Sequence, residues 1–247
     1  MRNSTEIYSL LEKITWQDNR ILALYMNGSR VNPNVMQDDF QDYDVVFVVT
    51  ETSSFINDKQ WINNFGNPLY FQLPDENPNF PNDKENFYGY LVQFEDGVRL
   101  DVHIETLQHA LENIKKDSLC KILIDKNNYL PKIPESSDKD YWVKKPTQEQ
   151  FLACCNEFWW CTNNLAKGLA RKEILYVQDM ANFVVRKELE KMLSWKVGIK
   201  TDFKVSVGKS AKYISKYLES DIYENYLKTF FTCDIEAARK SIFLMCD

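Results

Sequence analysis

Asp42 and Asp44 stand two apart at the head of an apolar run, Tyr43 to Val49 (YDVVFVV), and the pair Gly28-Ser29 precedes them. In an extended strand residues i and i+2 face the same way, so both carboxylates project from one face and Tyr43 from the other. Like charges held this close repel. A strand entering a core tolerates them when a cation neutralises them, and hard oxygen ligands suit magnesium or calcium. Asp101, in the alternating segment VRLDVHI, can supply a third carboxylate. Three carboxylates on neighbouring strands make a site for one or two divalent ions, of the kind used in phosphoryl and nucleotidyl transfer.

The glycine-serine pair extends this chemistry. A strand that ends in a tight glycine turn offers backbone N–H groups and the Ser29 hydroxyl to phosphate oxygens, and Arg30 adds a fixed positive charge beside them. A nucleoside triphosphate held by Gly28, Ser29 and Arg30 and bridged by magnesium to Asp42 and Asp44 would present its α-phosphorus for in-line attack. Asp38 and Asp39, between the two motifs, read as solvated loop.

The elements that must position these groups follow from periodicity. Residues 3–20 carry Ile7, Leu10, Leu11 and Ile14 at helical spacing behind a capping-box pair, Asn3 and Glu6. Residues 21–26 and 43–49 read as buried strands, 58–66 as a short helix, and 69–73 as a strand before a Pro, Asn and Asp-rich loop. Residues 87–94 and 98–104 alternate around Glu95-Asp96-Gly97, a hairpin signature. The second arm sets Arg99, Asp101 and His103 on one face and Val98, Leu100, Val102 and Ile104 on the other. A helix over 105–116 and a strand over 121–125 close this half. Past a Pro- and Lys-rich stretch the strand pattern stops, and helices are expected over 147–169, 171–196, 209–219, 221–231 and 234–246, with Gly168, Gly198 and Gly208 as breaks. The class is therefore α+β: a mixed sheet with helices over residues 1–145, then a helical bundle over 146–247.

Composition narrows the partners. The 247 residues carry a formal net charge of -6, which disfavours a sequence-independent nucleic-acid binder and suits a small cationic partner. No window approaches the roughly 18 uncharged residues needed to span a bilayer, and the N-terminus lacks the apolar core of a secretory signal, so a cytoplasmic location is expected. The six cysteines show no CxxC pairing, as suits buried thiols in a reducing compartment. The terminal SIFLMCD is apolar for a free end, and further helix or a covering partner is expected there.

The joint order of these motifs resembles the nucleotidyltransferase superfamily with a DNA-polymerase-β-like core. The strings LYMNGSRVNPN, DDFQDYDVVFVV, DKQWINNFGN, KILIDK, VKKPT, CCNEFWW, KGLARKEIL and LSWKVGIKTDFKVSVGK are similar to those of aminoglycoside 6-adenylyltransferases, the streptomycin-modifying enzymes. The likeness runs from about residue 5 to the end. It implies a nucleotidyltransferase catalytic domain over 1–145 and an acceptor-binding helical domain over 146–247. The implied reaction is transfer of AMP from magnesium-ATP to a hydroxyl of streptomycin, the 6-position, with release of pyrophosphate and resistance to the antibiotic. Asp42 and Asp44 would bind magnesium, and Ser29 and Arg30 the triphosphate. Asp101 would either take the proton from the acceptor hydroxyl or serve only as a metal ligand. The chemistry also fits another aminoglycoside, a lincosamide or a protein hydroxyl as acceptor. A non-catalytic nucleotide-binding module is a further alternative, disfavoured by three intact carboxylates.

A cationic, polyhydroxylated acceptor calls for carboxylates and aromatic faces. Glu157 and Trp160 lie three apart on a helix and share a face, with Trp159 rotated by about 100 degrees. One tryptophan is expected in the core and the other in a cleft between the domains, where ATP and acceptor would meet; the alternative puts both in the core. Asp179 interrupts an apolar run, either to contact substrate or to bridge two helices. Lys209 follows Gly208 at an expected helix start, where it could reach a phosphate, a nucleotide role the resemblance supports. Lys167, Arg171 and Lys172 read as a solvated face. His103 and His109, the only histidines, show no metal-ligand spacing, and His103 reads as a neighbour of the catalytic groups.

Overall fold

A computed structural model describes all 247 residues and divides them into two compact units, Met1–Asp140 and Tyr141–Asp247. The first is built on a six-stranded sheet of β1 (Ile21–Asn27), β2 (Tyr43–Val49), β3 (Pro68–Gln72), β4 (Phe87–Phe94), β5 (Arg99–Thr106) and β6 (Cys120–Asp125), in the spatial order β3-β4-β5-β2-β1-β6. Every neighbouring pair is antiparallel except β2 and β5, which run parallel. The sheet is thus mixed, as expected for an α+β protein.

Alternation sorts the strand residues onto two faces. One face presents Met26, Tyr43, Val45, Phe47, Leu100 and Val102 to α1 (Ser4–Gln17) and the 3-10 segment Trp61–Phe65. Helix α1 starts at the Asn3 cap with the full capping box to Glu6 and buries Ile7, Leu11 and Ile14. The helix expected over 58–66 is a 3-10 segment, Trp61–Phe65, and a short α2 (Ser53–Asn57) not expected from the sequence precedes it; together they insert Phe55, Trp61 and Phe65 into the core. The opposite face carries Tyr25, Val46, Val48 and Cys120, which pack with Ala110 of α3 (Leu107–Asn113) and with Ile114. Helix α3 starts two residues later than expected because Glu105 and Thr106 remain in β5, with Thr106 as its N-cap.

The second unit is helical: α4 (Gln148–Ala170), α5 (Ile174–Met180), a π-helical turn Ala181–Val185, α6 (Arg186–Lys200), α7 (Ser220–Lys228) and α8 (Ile235–Cys246). Phe158, Leu165, Val177, Ala181, Val185, Ala238 and Ile242 form its core. Gly168 and Gly198 do not break helices. Each lies inside one, where a Cβ would meet Val177 at 2.7 Å or the Phe203 ring at 2.4 Å, so both are sites of close packing. The helix expected over 209–219 is instead two 3-10 turns, Lys209–Ala211 and Ile214–Lys216. Ser210 and Ala211 adopt φ of 53° and 55°, a left-handed kink that stops propagation. No helix is long and apolar enough to cross a membrane.

Candidate active site

The turn after β1 and the starts of β2 and β5 meet at one end of the sheet. The parallel pairing sets Asp44 directly beside Asp101, and the antiparallel pairing sets Asn27 beside Asp44, so Asn27, Asp44 and Asp101 form one row across three strands. Gly28 follows immediately with φ of 76°, the left-handed region that favours glycine. A Cβ there would lie 2.1 Å from Asp44 Oδ2, so the carboxylate is pressed against the glycine backbone. Ser29 begins a single 3-10 turn, Ser29–Val31.

Asp42 lies just ahead of β2. Arg99, at the start of β5, holds Asp101 by both oxygens, Nε to Oδ1 and Nη2 to Oδ2 at 2.8 Å each, and its Nε lies 3.5 Å from Asp42 Oδ2. Burial, then the charges of Asp101 and Asp42, push the Asp44 carboxyl up to about 6, with Arg99 opposing them. These residues fit a divalent cation in donor type and in charge, since hard carboxylate oxygens crowd one end of the sheet and the Asp44 carboxyl is pushed up by its neighbours' charges. They are not a ready-made cage: no three His, Cys, Asp or Glu side chains are gathered as a metal site, and the guanidinium stands between two of the carboxylates. Sequence parity already set Arg99 on the Asp101 face. What it did not reveal is that Arg99 spans Asp101 and Asp42.

Arg30 is turned elsewhere. Its guanidinium lies 3.6 Å over the Tyr43 ring, on the sheet face opposite Asp44, and donates to the Gln41 carbonyl at 2.7 Å, fastening the loop before β2. Asp38 and Asp39 are exposed, and Asp38 caps Phe40 N–H within that loop.

Further along the same face as Asp44 and Asp101 lies a polar group that sequence reasoning missed. The Tyr25 hydroxyl donates to Glu105 Oε1, and His109 Nδ1 lies 2.6 Å from Glu105 Oε2, although the Glu105 side chain is almost fully buried. His103 stacks on Phe87, and burial lowers its pKa against the opposing charges of Asp101 and Asp75. The alternation of β5 contained this signal, because Asp101, His103 and Glu105 share parity.

In the second unit α4 buries Cys154, Phe158, Cys161, Leu165 and Gly168. That stripe leaves Glu157, Trp159 and Trp160 outside, and the two tryptophans are 57% and 72% exposed, so neither is core. Glu157 accepts from the Cys161 thiol. Asp179 is exposed at the end of α5, next to the π-helical turn. Lys209 is exposed and begins a single 3-10 turn, so the long helix start expected for it is absent.

A mixed sheet whose strand ends bring paired carboxylates against a glycine turn is the architecture of a nucleotidyl-transferring enzyme. Residues 1–247 match the family described as Streptomycin adenylyltransferase, and the chain belongs to that family. It is 41% identical to an aminoglycoside 6-adenylyltransferase from Campylobacter jejuni, over 93% of this chain and 80% of that one. It is 36% identical to the Staphylococcus aureus enzyme of the same name, over 100% and 88%, and 34% identical to that of Bacillus subtilis (strain 168), over 98% and 86%. Among solved structures, an aminoglycoside 6-adenyltransferase from Bacillus subtilis aligns over 99% of this chain and 86% of that one, at 30% identity and a TM-score of 0.44.

Proposed function

We propose that this enzyme transfers AMP from magnesium-ATP to a hydroxyl of streptomycin, the 6-position, releasing pyrophosphate and conferring resistance, and that it acts in the cytoplasm. The observation that carries this reading is the row Asn27–Asp44–Asp101 with Gly28 packed on Asp44. Asp42 and Asp44, with Asp101, are the residues that would hold magnesium. When bound, the metal supplies neutralisation of charge on the triphosphate and on the attacking oxygen.

The chain's own residues do the rest. Backbone N–H groups of the Gly28-Ser29 turn, with the Ser29 hydroxyl, cradle phosphate oxygens. Arg30 acts on the triphosphate through the loop it fastens, and Lys209 serves the nucleotide. The acceptor oxygen forms its bond to the α-phosphorus as the bond to the bridging oxygen breaks, and pyrophosphate leaves. Asp101 takes the hydroxyl proton and passes it to solvent, which requires its bidentate hold by Arg99 to open. Glu157, Trp159, Trp160 and Asp179 contact the cationic acceptor, in keeping with a carboxylate and two uncovered indole faces on one helix.

Pyrophosphate release measured with a panel of hydroxyl acceptors tests this directly. Streptomycin should turn over, and Asp44→Asn should abolish turnover while leaving the melting curve intact. Turnover only with another aminoglycoside, a lincosamide or a protein would replace the acceptor. Near-normal activity in the Asn variant would remove the metal assignment.

A further inference from the structure

The carboxylate row continues past Asp101. On the side away from Asn27, Asp101 pairs with Leu91 of β4 and Leu91 with Gln72 of β3, so Gln72 and Leu91 stand on the same face, in line with Asp101, Asp44 and Asn27. One side-chain repeat away, Tyr70 pairs with Gln93 and Gln93 with Arg99. These four uncharged residues pave the face outward from Asp101 and Arg99. The paving is open: Tyr70 is 66% exposed, Gln72 is exposed, and Leu91, half-buried, belongs to neither core of this unit. It stops at the next row, where a Cβ on Gly89 would meet His103 Nδ1 at 3.2 Å and Pro74 Cγ at 3.4 Å, so the turn after β3 closes over the sheet there. Edge strands are normally guarded by charged side chains, as β6 is by Lys121 and Asp125. The other edge, β3 (PLYFQ), has none and keeps the Tyr70 ring uncovered on the face that carries the carboxylates.

We propose that this shelf is the acceptor's footing on the first unit, and that Tyr70 selects for a ring bearing a guanidino or ammonium group by stacking on that group. The proposal rests on the aminoglycoside reading above and adds to it a specificity-determining residue on an edge strand. Direction supports it. Displacement at the α-phosphorus is in line, with the attacking and leaving oxygens on opposite sides. With the triphosphate in the Gly28-Ser29 turn, which lies beyond Asp44 at the end of β1, pyrophosphate leaves on that side and the acceptor approaches from the side of β5, β4 and β3. Spacing supports it as well. Neighbouring strands lie about 4.8 Å apart, which sets Leu91 about 5 Å and Gln72 about 10 Å from Asp101, a span that a cyclitol ring and its substituents cover. A ring with its attacked hydroxyl at Asp101 rests its apolar face on Leu91 and turns its far hydroxyls to the Gln72 amide. The nitrogen cation then meets the phenol face of Tyr70.

Tyr70→Ala and Tyr70→Phe in the full chain test this, and an exposed edge position lets both fold. Tyr70→Ala should raise KM for streptomycin about tenfold, the scale of a cation–π contact, with kcat and the KM for ATP each within about twofold of wild type. Tyr70→Phe, which keeps the ring face, should behave as wild type. An unchanged streptomycin KM in Tyr70→Ala overturns the proposal, and so does an equal loss in Tyr70→Phe. A rise in the KM for ATP in place of that for streptomycin overturns it in favour of the nucleotide. If another acceptor turns over instead of streptomycin, the same comparison is read on that acceptor. Calorimetry with streptomycin and no nucleotide separates this proposal from the reading it rests on. Binding that weakens in Tyr70→Ala upholds the shelf even where no acceptor turns over, whereas adenylylation of streptomycin with identical binding in both chains removes the shelf and leaves the activity.

Discussion

Gly28→Ala is the substitution whose outcome the structure sets most sharply. Two effects combine there. The backbone sits at φ of 76° and ψ of -155°, a region almost confined to glycine, which costs a residue with a Cβ about 1–3 kcal/mol. The new methyl would also start 2.1 Å from Asp44 Oδ2, whereas ordinary contact begins at 3.4 Å, so the carboxylate must retreat by more than about 1 Å. A displacement of that size at a reacting centre typically costs about 100-fold in rate. The strain alone should lower the melting temperature by several degrees, at about 2–4 °C per kcal/mol for a chain of this size. Gly97→Ala is the matched control. Gly97 turns the β4–β5 hairpin at φ of 87°, and a Cβ there would meet only the mobile end of Met1 at 2.8 Å. Both variants should melt slightly early, and only Gly28→Ala should lose pyrophosphate release with streptomycin by about two orders of magnitude. Equal losses in the two, or near-normal turnover in Gly28→Ala, would refute the idea that this glycine seats Asp44.

Three more outcomes follow from contacts already described or adjoining them. Arg99→Gln should tighten Mn2+ binding, read by electron paramagnetic resonance in the absence of nucleotide, by about fivefold, the scale of one partly exposed ion pair; unchanged or weaker binding would show that Arg99 does not compete with a metal. At Asp96 burial raises the pKa, but hydrogen bonds from the Arg2 side chain and backbone and from Val98 N–H outweigh it and hold it at about 2, against 3.8 ordinarily. Its contribution of about 2 kcal/mol is therefore complete above pH 3.8 and is lost as the pH falls towards 2, and Arg2→Ala should flatten that slope in urea melts across this window. Arg186, 3% exposed, donates to the Thr229 carbonyl at 2.5 Å and to Asn182 Oδ1 and stacks over Phe230. Arg186→Met should cost the helical unit about 2–3 kcal/mol by leaving those acceptors buried and unpaired, and a loss below about 1 kcal/mol in chemical denaturation would contradict that.

The strand-bearing half was largely legible because its signals are local. The run YDVVFVV is β2 to the residue, Asn3 and Glu6 form the capping box, and Asp96-Gly97 lies at the expected hairpin turn. Parity placed Arg99, Asp101 and His103 on one face, as the pairing of β2 with β5 confirms. Signals that depend on a distant neighbour were not legible. Gly168 and Gly198 look like helix breaks until Val177 and Phe203 are seen packed against them. Nothing local in the sequence signals that the Arg30 guanidinium lies over the Tyr43 ring. Ala211, Ile214 and Leu218 keep helical spacing and do cluster in a core, yet successive 3-10 turns deliver them there. Trp159 and Trp160 misled because bulk alone suggests burial, whereas the stripe through Phe158 and Cys161 decides which side of α4 is covered.

The parallel contact between β2 and β5 also bears on how the enzyme comes into being. The β4–β5 hairpin closes across a tight turn and can form early, but β5 reaches β2 only by bringing together segments far apart in the chain, the slow kind of step in folding. Asp44 and Asp101 become neighbours at that step and no sooner. Catalytic competence during refolding should therefore lag behind the appearance of strand structure, and the recovery of turnover would time the docking of these two strands.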